Sequence, residues 1–201
     1  MRIGVYGGAF DPPHSGHIII AGSVLSELDL DHILFIPYTI GAHRPAGPIV
    51  SPEHRLEMLR LCIGETPEFV IDDREIRRGG ISFMIDTLLS LQREEPGVEL
   101  VLIVGSDQLR IFTEWKDWRT ILELAVIAVI ERPGYSLTEG PEELLESMVT
   151  ISIPPQSLSS TQVRARIAER TDIRQLVPEP VVRYIQEHGL YGYPRHEAPK
   201  D

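Results

Sequence analysis

The chain has 201 residues, 42% hydrophobic and 24% charged, a balance that suits a globular protein with its own core and excludes wholesale disorder. Nineteen basic against thirty acidic side chains leave a formal charge of −11. That charge argues against broad contact with nucleic acid or an anionic membrane but leaves room for small anions held by a few local cations.

The single cysteine, Cys62, excludes an intrachain disulfide and a cysteine-only metal cluster, in keeping with a reducing compartment. Met1 leads directly into an apolar strand, with no room for a secretory signal. The longest apolar run, Leu124 to Ile130, is far too short for a membrane span. A cytoplasmic protein is expected.

In chain order, apolar runs predict strands at Ile3–Tyr6, His32–Pro37, Phe69–Asp72, Glu99–Val104, Ala125–Ile130 and Thr150–Ile153. Continuous runs such as Val101-Leu102-Ile103-Val104 suit a parallel sheet buried on both faces. Helical patterns fall between them, at Gly16–Leu28, Pro52–Gly64, Ser82–Glu94 and Trp118–Leu124, with Ser51-Pro52 as a start signal. Pro37 to Pro48 is too rich in Pro and Gly for regular structure, and a loop of that length in a compact domain is often functional. Arg132-Pro133-Gly134-Tyr135 reads as a turn, and Pro154-Pro155 as a break before a helical C-terminal part. Pro178 to His188, closed by Gly189, reads as the last helix, and Tyr193 to Asp201 as a frayed tail. The alternation predicts a doubly wound α/β domain with a mostly parallel sheet, whose ligands sit beyond the carboxyl ends of the strands. The expected division is a core over 1–155, a small helical part over 156–193 and a tail over 194–201.

Three clusters could carry chemistry. Gly7-Gly8-Ala9-Phe10-Asp11-Pro12-Pro13-His14-Ser15-Gly16-His17 joins a strand to a helix through a glycine turn, a setting that favours phosphate at the helix N-terminus. His14 and His17 share a helical face and could donate to triphosphate oxygens as charge develops; a zinc pair is the rival reading, weakened by the i, i+3 spacing and the lack of a third ligand. His32, His54, His188 and His196 have no such setting and read as structural or surface residues. Ser157 to Arg166 opens a helix with hydroxyls. Ser159 with Gln162 fits a capping box, while the same terminus could hold phosphates with Arg164 one turn in. In Gly105-Ser106-Asp107 the carboxylate could accept from ribose hydroxyls or cap a helix before Gln108. Trp115 and Trp118, the only tryptophans, lie on one side of a helix, one suited to the core and the other to a flat ligand.

These segments resemble a known family. Gly7 to His17 is similar to the phosphate loop of nucleotidyltransferases with the H-x-G-H signature, and Ser159-Ser160-Thr161-Gln162-Val163-Arg164 is similar to their I-S-S-T-x-x-R signature. Within that superfamily the chain resembles the bacterial nicotinate-nucleotide adenylyltransferases, through Ala42-His43-Arg44, Asp73 to Ile76, Ser82 to Leu88, Gly105-Ser106-Asp107 with Trp115 and Trp118, Arg132 to Tyr135, and the closing Leu176 to Tyr191. The resemblance covers Met1 to about Tyr193. It implies a Rossmann-like nucleotidyltransferase fold and transfer of adenylate from ATP to a pyridine mononucleotide, with Mg²⁺ carried by ATP and no metal site of the protein's own. It also implies a place in NAD biosynthesis.

His14 and His17 would then polarise the phosphates, with His17 at the α-phosphate. Gly7, Gly8, Ala9, Phe10, Gly16 and Ser160 would line the ATP site. Thr161 and Arg164 would hold the β and γ phosphates, and Gly105 and Asp107 would meet the adenosine. Arg44 would contact phosphate, Trp115 would stack on the pyridine, amides at Phe83 and Met84 would take the carboxylate, and Thr87 would complete the pocket. Ala9 stands where the family often has a hydroxyl, and Phe83-Met84 where it has Tyr-Thr, which leaves nicotinate and nicotinamide mononucleotides both open. A relative acting on phosphopantetheine or a polyol phosphate, a non-catalytic nucleotide-binding regulator and a zinc-dependent hydrolase are the alternatives. A homo-oligomer is also left open.

Overall fold

In the computed structural model, which describes residues 1–153 and 158–194, eight strands and eight α-helices follow one another from β1 (Arg2–Gly8) to α8 (Glu179–His188). After β1 come α1 (Ser15–Glu27), β2 (His32–Pro37), β3 (Ile40–Gly41), α2 (Pro52–Ile63), β4 (Phe69–Ile71) and α3 (Arg74–Arg78). β5 (Ile81–Ser82), α4 (Met84–Glu94), β6 (Glu99–Gly105) and a 3-10 segment (Ser106–Glu114) lead to α5 (Trp118–Leu124) and β7 (Ala125–Ile130). α6 (Glu142–Ser147), β8 (Val149–Ile151) and α7 (Ser160–Ala168) precede α8 and a 3-10 turn (Leu190–Gly192). Pro154-Pro155, Ser157, His196 and most of the tail lie outside the described residues.

Six strands form one sheet in the order β4-β2-β1-β6-β7-β8, and every pairing in it is parallel. Taken in sequence these are strands 3-2-1-4-5-6, the doubly wound order, with the reversal between β1 and β6. The central runs are buried on both faces: Val101 through Ile103 are at most 3% exposed. Each such side chain contributes roughly 1.5–3 kcal/mol relative to exposure. One apolar layer joins Val5, Leu34 and Leu102 to Leu88 of α4, Ile121 of α5 and Leu144 of α6. The other joins Tyr6, Phe35 and Ile103 to Ile20 and Val24 of α1 and Leu59 of α2.

A third cluster ties Met58 and Cys62 of α2 to Val163 and Ile167 of α7 and to Val182 and Ile185 of α8. The C-terminal helices therefore rest on α2, not on the sheet. α8 ends at Gly189, which takes φ 61°, a left-handed conformation that glycine adopts without strain.

Some expectations need correction. Ser82 belongs to β5, which pairs with β3 in a separate parallel ribbon, and the helix expected from Ser82 begins at Met84. β3 therefore adds regular structure to the stretch from Pro37 to Pro48. Two-residue strands exist only by virtue of a distant partner, so no local pattern announces them. Asp107 lies inside the 3-10 segment, whose N-cap is Gly105, so it is not the helix cap. Among the described residues no helix is long and apolar enough to cross a membrane.

Candidate active site

The turn after β1 and the end of β6 flank the reversal point of the sheet, and a cleft of about 390 Å³ opens there. It is lined on one side by Gly7 to Asp11, His14 and His17 and by Ser159 to Thr161 and Arg164 of the α7 start. Gly105, Asp107 and Arg132 form its back, and Arg44, Glu75, Phe83, Met84, Trp115 and Lys116 form the other side. Of the residues assigned to ligand binding or catalysis from the sequence, Gly16 and Thr87 do not line it.

The two histidines are stacked, with ring centroids 3.7 Å apart and planes 28° from parallel. The His14 amide donates to His17 Nδ1 at 3.0 Å, so Nδ1 is the acceptor and the neutral ring carries its proton on Nε2. Burial draws the His14 pKa down to about 4, aided by the Arg132 guanidinium. Burial, then His14 and Arg132, hold His17 well below its usual value. Both rings are therefore neutral donors near pH 7. Gly16 explains itself here: a Cβ on it would stand 3.0 Å from His14 Nδ1. Its contribution is to leave room for an imidazole, one step removed from the ligand.

The two phosphate segments are bonded to one another. Ser160 Oγ donates to the Pro12 carbonyl at 2.8 Å, and Arg164 Nη1 to the Asp11 carbonyl at 2.6 Å while Nη2 reaches Thr161 Oγ1 at 3.1 Å. Ser159 Oγ caps α7 by accepting from the Gln162 amide at 3.2 Å. The reciprocal half of a capping box is missing, since Gln162 Oε1 is buried without a hydrogen-bond partner.

At the back, Arg132 Nε lies 3.2 Å from Asp107 Oδ1, and Gln108 Nε2 donates to Asp107 Oδ2 at 2.7 Å. A side chain at Gly105 would meet the side chains of Asp107 and Arg132, so it would have to displace their ion pair.

On the far side, Trp115 is stacked over Phe112, with centroids 5.2 Å apart, and its indole nitrogen is buried without a hydrogen-bond partner. Trp118 meets Phe112 edge-on and lies outside the cleft, so the pair divides as its spacing suggested. Lys116 Nζ sits 5.0 Å from the Phe83 ring centre and pairs with Asp86 at 2.9 Å. Arg44 is exposed in the loop after β3. Thr87 departs from expectation. It is fully buried behind the cleft, where its hydroxyl donates to Glu75 Oε1 at 2.6 Å and accepts from Arg78 at 3.1 Å. It holds Glu75, and Glu75 faces the cleft.

Sequence reasoning passed over Arg55, Lys116 and the charge of Arg132, and it named Glu75 only within the stretch Asp73 to Ile76, with no role of its own. Arg55 is 1% exposed; its guanidinium donates to the carbonyls of Ala9 and Tyr38 at 2.7 Å each, fixing the glycine turn against the next loop. A lone Arg in a helical pattern carries no signal of this. Among the described residues no group of three or more His, Cys, Asp or Glu could hold a metal ion.

Hydrogen-bond donors converge here from two helix starts, and the hydroxyls of Ser159 and Ser160 are spent on caps and loop carbonyls. Such a cleft suits transfer between two phosphates by alignment and charge neutralisation, the chemistry of a nucleotidyltransferase. Residues 5–166 match the family model described as cytidylyltransferase-like. A Thermus thermophilus protein named "Probable nicotinate-nucleotide adenylyltransferase" is 38% identical over 191 residues, 95% of this chain and 100% of that one. Its namesake from Albidiferax ferrireducens is 39% identical over 195 residues, covering 94% and 98% of the two chains. The nicotinic acid mononucleotide adenylyltransferase of Plasmodium falciparum, solved with NaAD, superposes with a TM-score of 0.80 over 96% of this chain and 98% of its own. At 20% identity that likeness is one of fold. The chain belongs to the cytidylyltransferase-like family, among its nicotinate-nucleotide adenylyltransferases.

Proposed function

We propose that this enzyme transfers the adenylyl group of ATP to nicotinate mononucleotide, giving nicotinate adenine dinucleotide and pyrophosphate in NAD biosynthesis. The observation that carries this is one cleft lined both by the donors His14, His17, Thr161 and Arg164 and by the apolar side chains Phe83, Met84 and Trp115. A phosphate oxygen of the mononucleotide attacks the α-phosphorus, the bond to the β-phosphate bridge breaks, and its electron pair leaves with pyrophosphate. The attacking oxygen is already ionised near neutrality, so no general base is needed.

His17 Nε2–H donates to the α-phosphate, where charge grows. Thr161 and Arg164 hold the outer phosphates, the glycine turn admits them closely, and Gly105 and Asp107 receive the adenosine. Arg44 meets the acceptor phosphate, Trp115 stacks on the pyridine, and amides at Phe83 and Met84 receive the carboxylate. Mg²⁺ would enter on ATP and neutralise its phosphates. The lining carboxylates of Asp11, Glu75 and Asp107 already have protein partners, a donor set that fits a metal held by phosphate oxygens and water.

Residues 1–155 form the nucleotide-binding core in this proposal, and 156–193 bring the second phosphate segment. The single buried Cys62 fits a cytoplasmic setting. The test is pyrophosphate release from ATP with nicotinate mononucleotide, its nicotinamide counterpart or phosphopantetheine. Turnover with the nicotinate form is expected, and turnover of phosphopantetheine alone would overturn the assignment.

A further inference from the structure

Asp11 lies where four segments meet, and it is 3% exposed. Its own turn follows β1; its carbonyl accepts from Arg164 of α7. Its carboxylate is shared by two distant groups. Oδ2 accepts the Ile49 amide at 2.6 Å, and Oδ1 accepts the Tyr191 hydroxyl at 2.8 Å. The buried Arg55 guanidinium lies close enough to oppose the carboxylate charge. Ile49 ends the loop that carries Arg44, and Gly41 to Arg44 and Gly47 to Ile49 line the cleft. Within the loop the Arg44 amide donates to the Gly41 carbonyl and the Gly47 amide to the Arg44 carbonyl; outside it His43 lies 3.8 Å from Glu114 and Val50 packs against the C-terminal cluster, while the Ile49 amide is held by Asp11. Tyr191 sits at φ 57°, a conformation unfavourable for a side-chain-bearing residue. It is held there with its hydroxyl turned toward the cleft turn.

We propose that Tyr191 is a positioning residue: through Asp11 it fixes the Ile49 end of the Arg44 loop and so sets affinity for the second substrate. The C-terminal turn thereby tunes the acceptor side of the cleft without touching ligand. A buried carboxylate with two donors has one orientation, and with one donor it can rotate about its side-chain torsions. Removing the phenol hydroxyl frees Asp11 and with it the Ile49 amide. This rests on the proposed function for its kinetic part alone.

The experiment compares Tyr191→Phe with Tyr193→Phe, which removes a hydrogen bond to Gln186 elsewhere in the same C-terminal part. Hydrogen–deuterium exchange of residues 41–50 is measured beside the KM of each substrate. For Tyr191→Phe, faster exchange in that segment is expected, with the mononucleotide KM raised about tenfold, the scale of one hydrogen bond. kcat and the ATP KM stay within about twofold, and Tyr193→Phe leaves all of these unmoved. Unchanged exchange, equal rises in both KM values, or the same effect from Tyr193→Phe would overturn the proposal. If the wild type turns over neither pyridine mononucleotide, the functional assignment fails while the exchange result still decides the latch.

Discussion

His17 shows how little local pattern says about the state of a side chain. The H-x-G-H spacing places two imidazoles together, but their charge is set by burial and the Arg132 cation, while the His14 amide fixes the tautomer of His17 with its donor at Nε2. Loss of one such donor at a site of developing charge costs about 10²-fold or more in turnover. His17→Ala should therefore lower kcat by at least ~10², measured as pyrophosphate release, with circular dichroism unchanged; near-normal turnover in a folded variant would remove His17 from the mechanism. That the segments Gly7 to His17 and Ser159 to Arg164 line one cleft was legible from their order after a strand and at a helix start, whereas the hydroxyls of Ser159 and Ser160 serve a cap and a loop carbonyl. The parts played by Arg55 and Glu75 were not legible. Their importance comes from full burial against partners many residues away, such as Ala9 and Thr87, and no spacing rule encodes that.

At the scale of elements, α7 matters for where it begins. Ser159 caps it and Ser160 bonds the Pro12 carbonyl, so its first turn is held against the turn after β1. Ser159→Ala removes the cap, which costs about 1 kcal/mol. Denaturant unfolding should show that loss together with a several-fold rise in the ATP KM and little change for the mononucleotide. An unaltered ATP KM would separate the cap from the phosphate site. The central strands of the main sheet were legible because runs such as Leu100 to Val104 and Ala125 to Ile130 are apolar without interruption, as the double burial of a parallel sheet requires. β3 and β5 were not, being two residues each and stabilised only by one another. α3 and α6 are five and six residues long, too short to show a helical period. The start of α4 was misjudged by two residues because Ser82 has the chemistry of a cap while lying in a strand.

For the whole molecule, the buried imidazoles couple folding to pH. The His14 pKa is lowered from 6.5 to about 4 in the fold, and that of His17 also falls, so each binds its proton in the unfolded chain first. The stability they contribute is complete above about pH 6.5 and is lost as pH falls toward the folded values. Between those limits each neutral ring adds a slope of about 1.4 kcal/mol per pH unit. Wild type should lose stability more steeply than His14→Gln between pH 6.5 and 4.5, by about that slope, in urea titrations at fixed ionic strength; parallel curves would mean that His14 is already protonated in the fold. The two tryptophans give the molecule an optical property as well. Trp115 borders the cleft and Trp118 stands outside it under Arg119, and the chain has no other indole. One of the two indoles thus stands beside the place where an electron-poor pyridine would stack, and the other does not. Titration with the mononucleotide should quench one component of the tryptophan fluorescence and spare the other, so occupancy of the acceptor site can be followed with no label and no turnover.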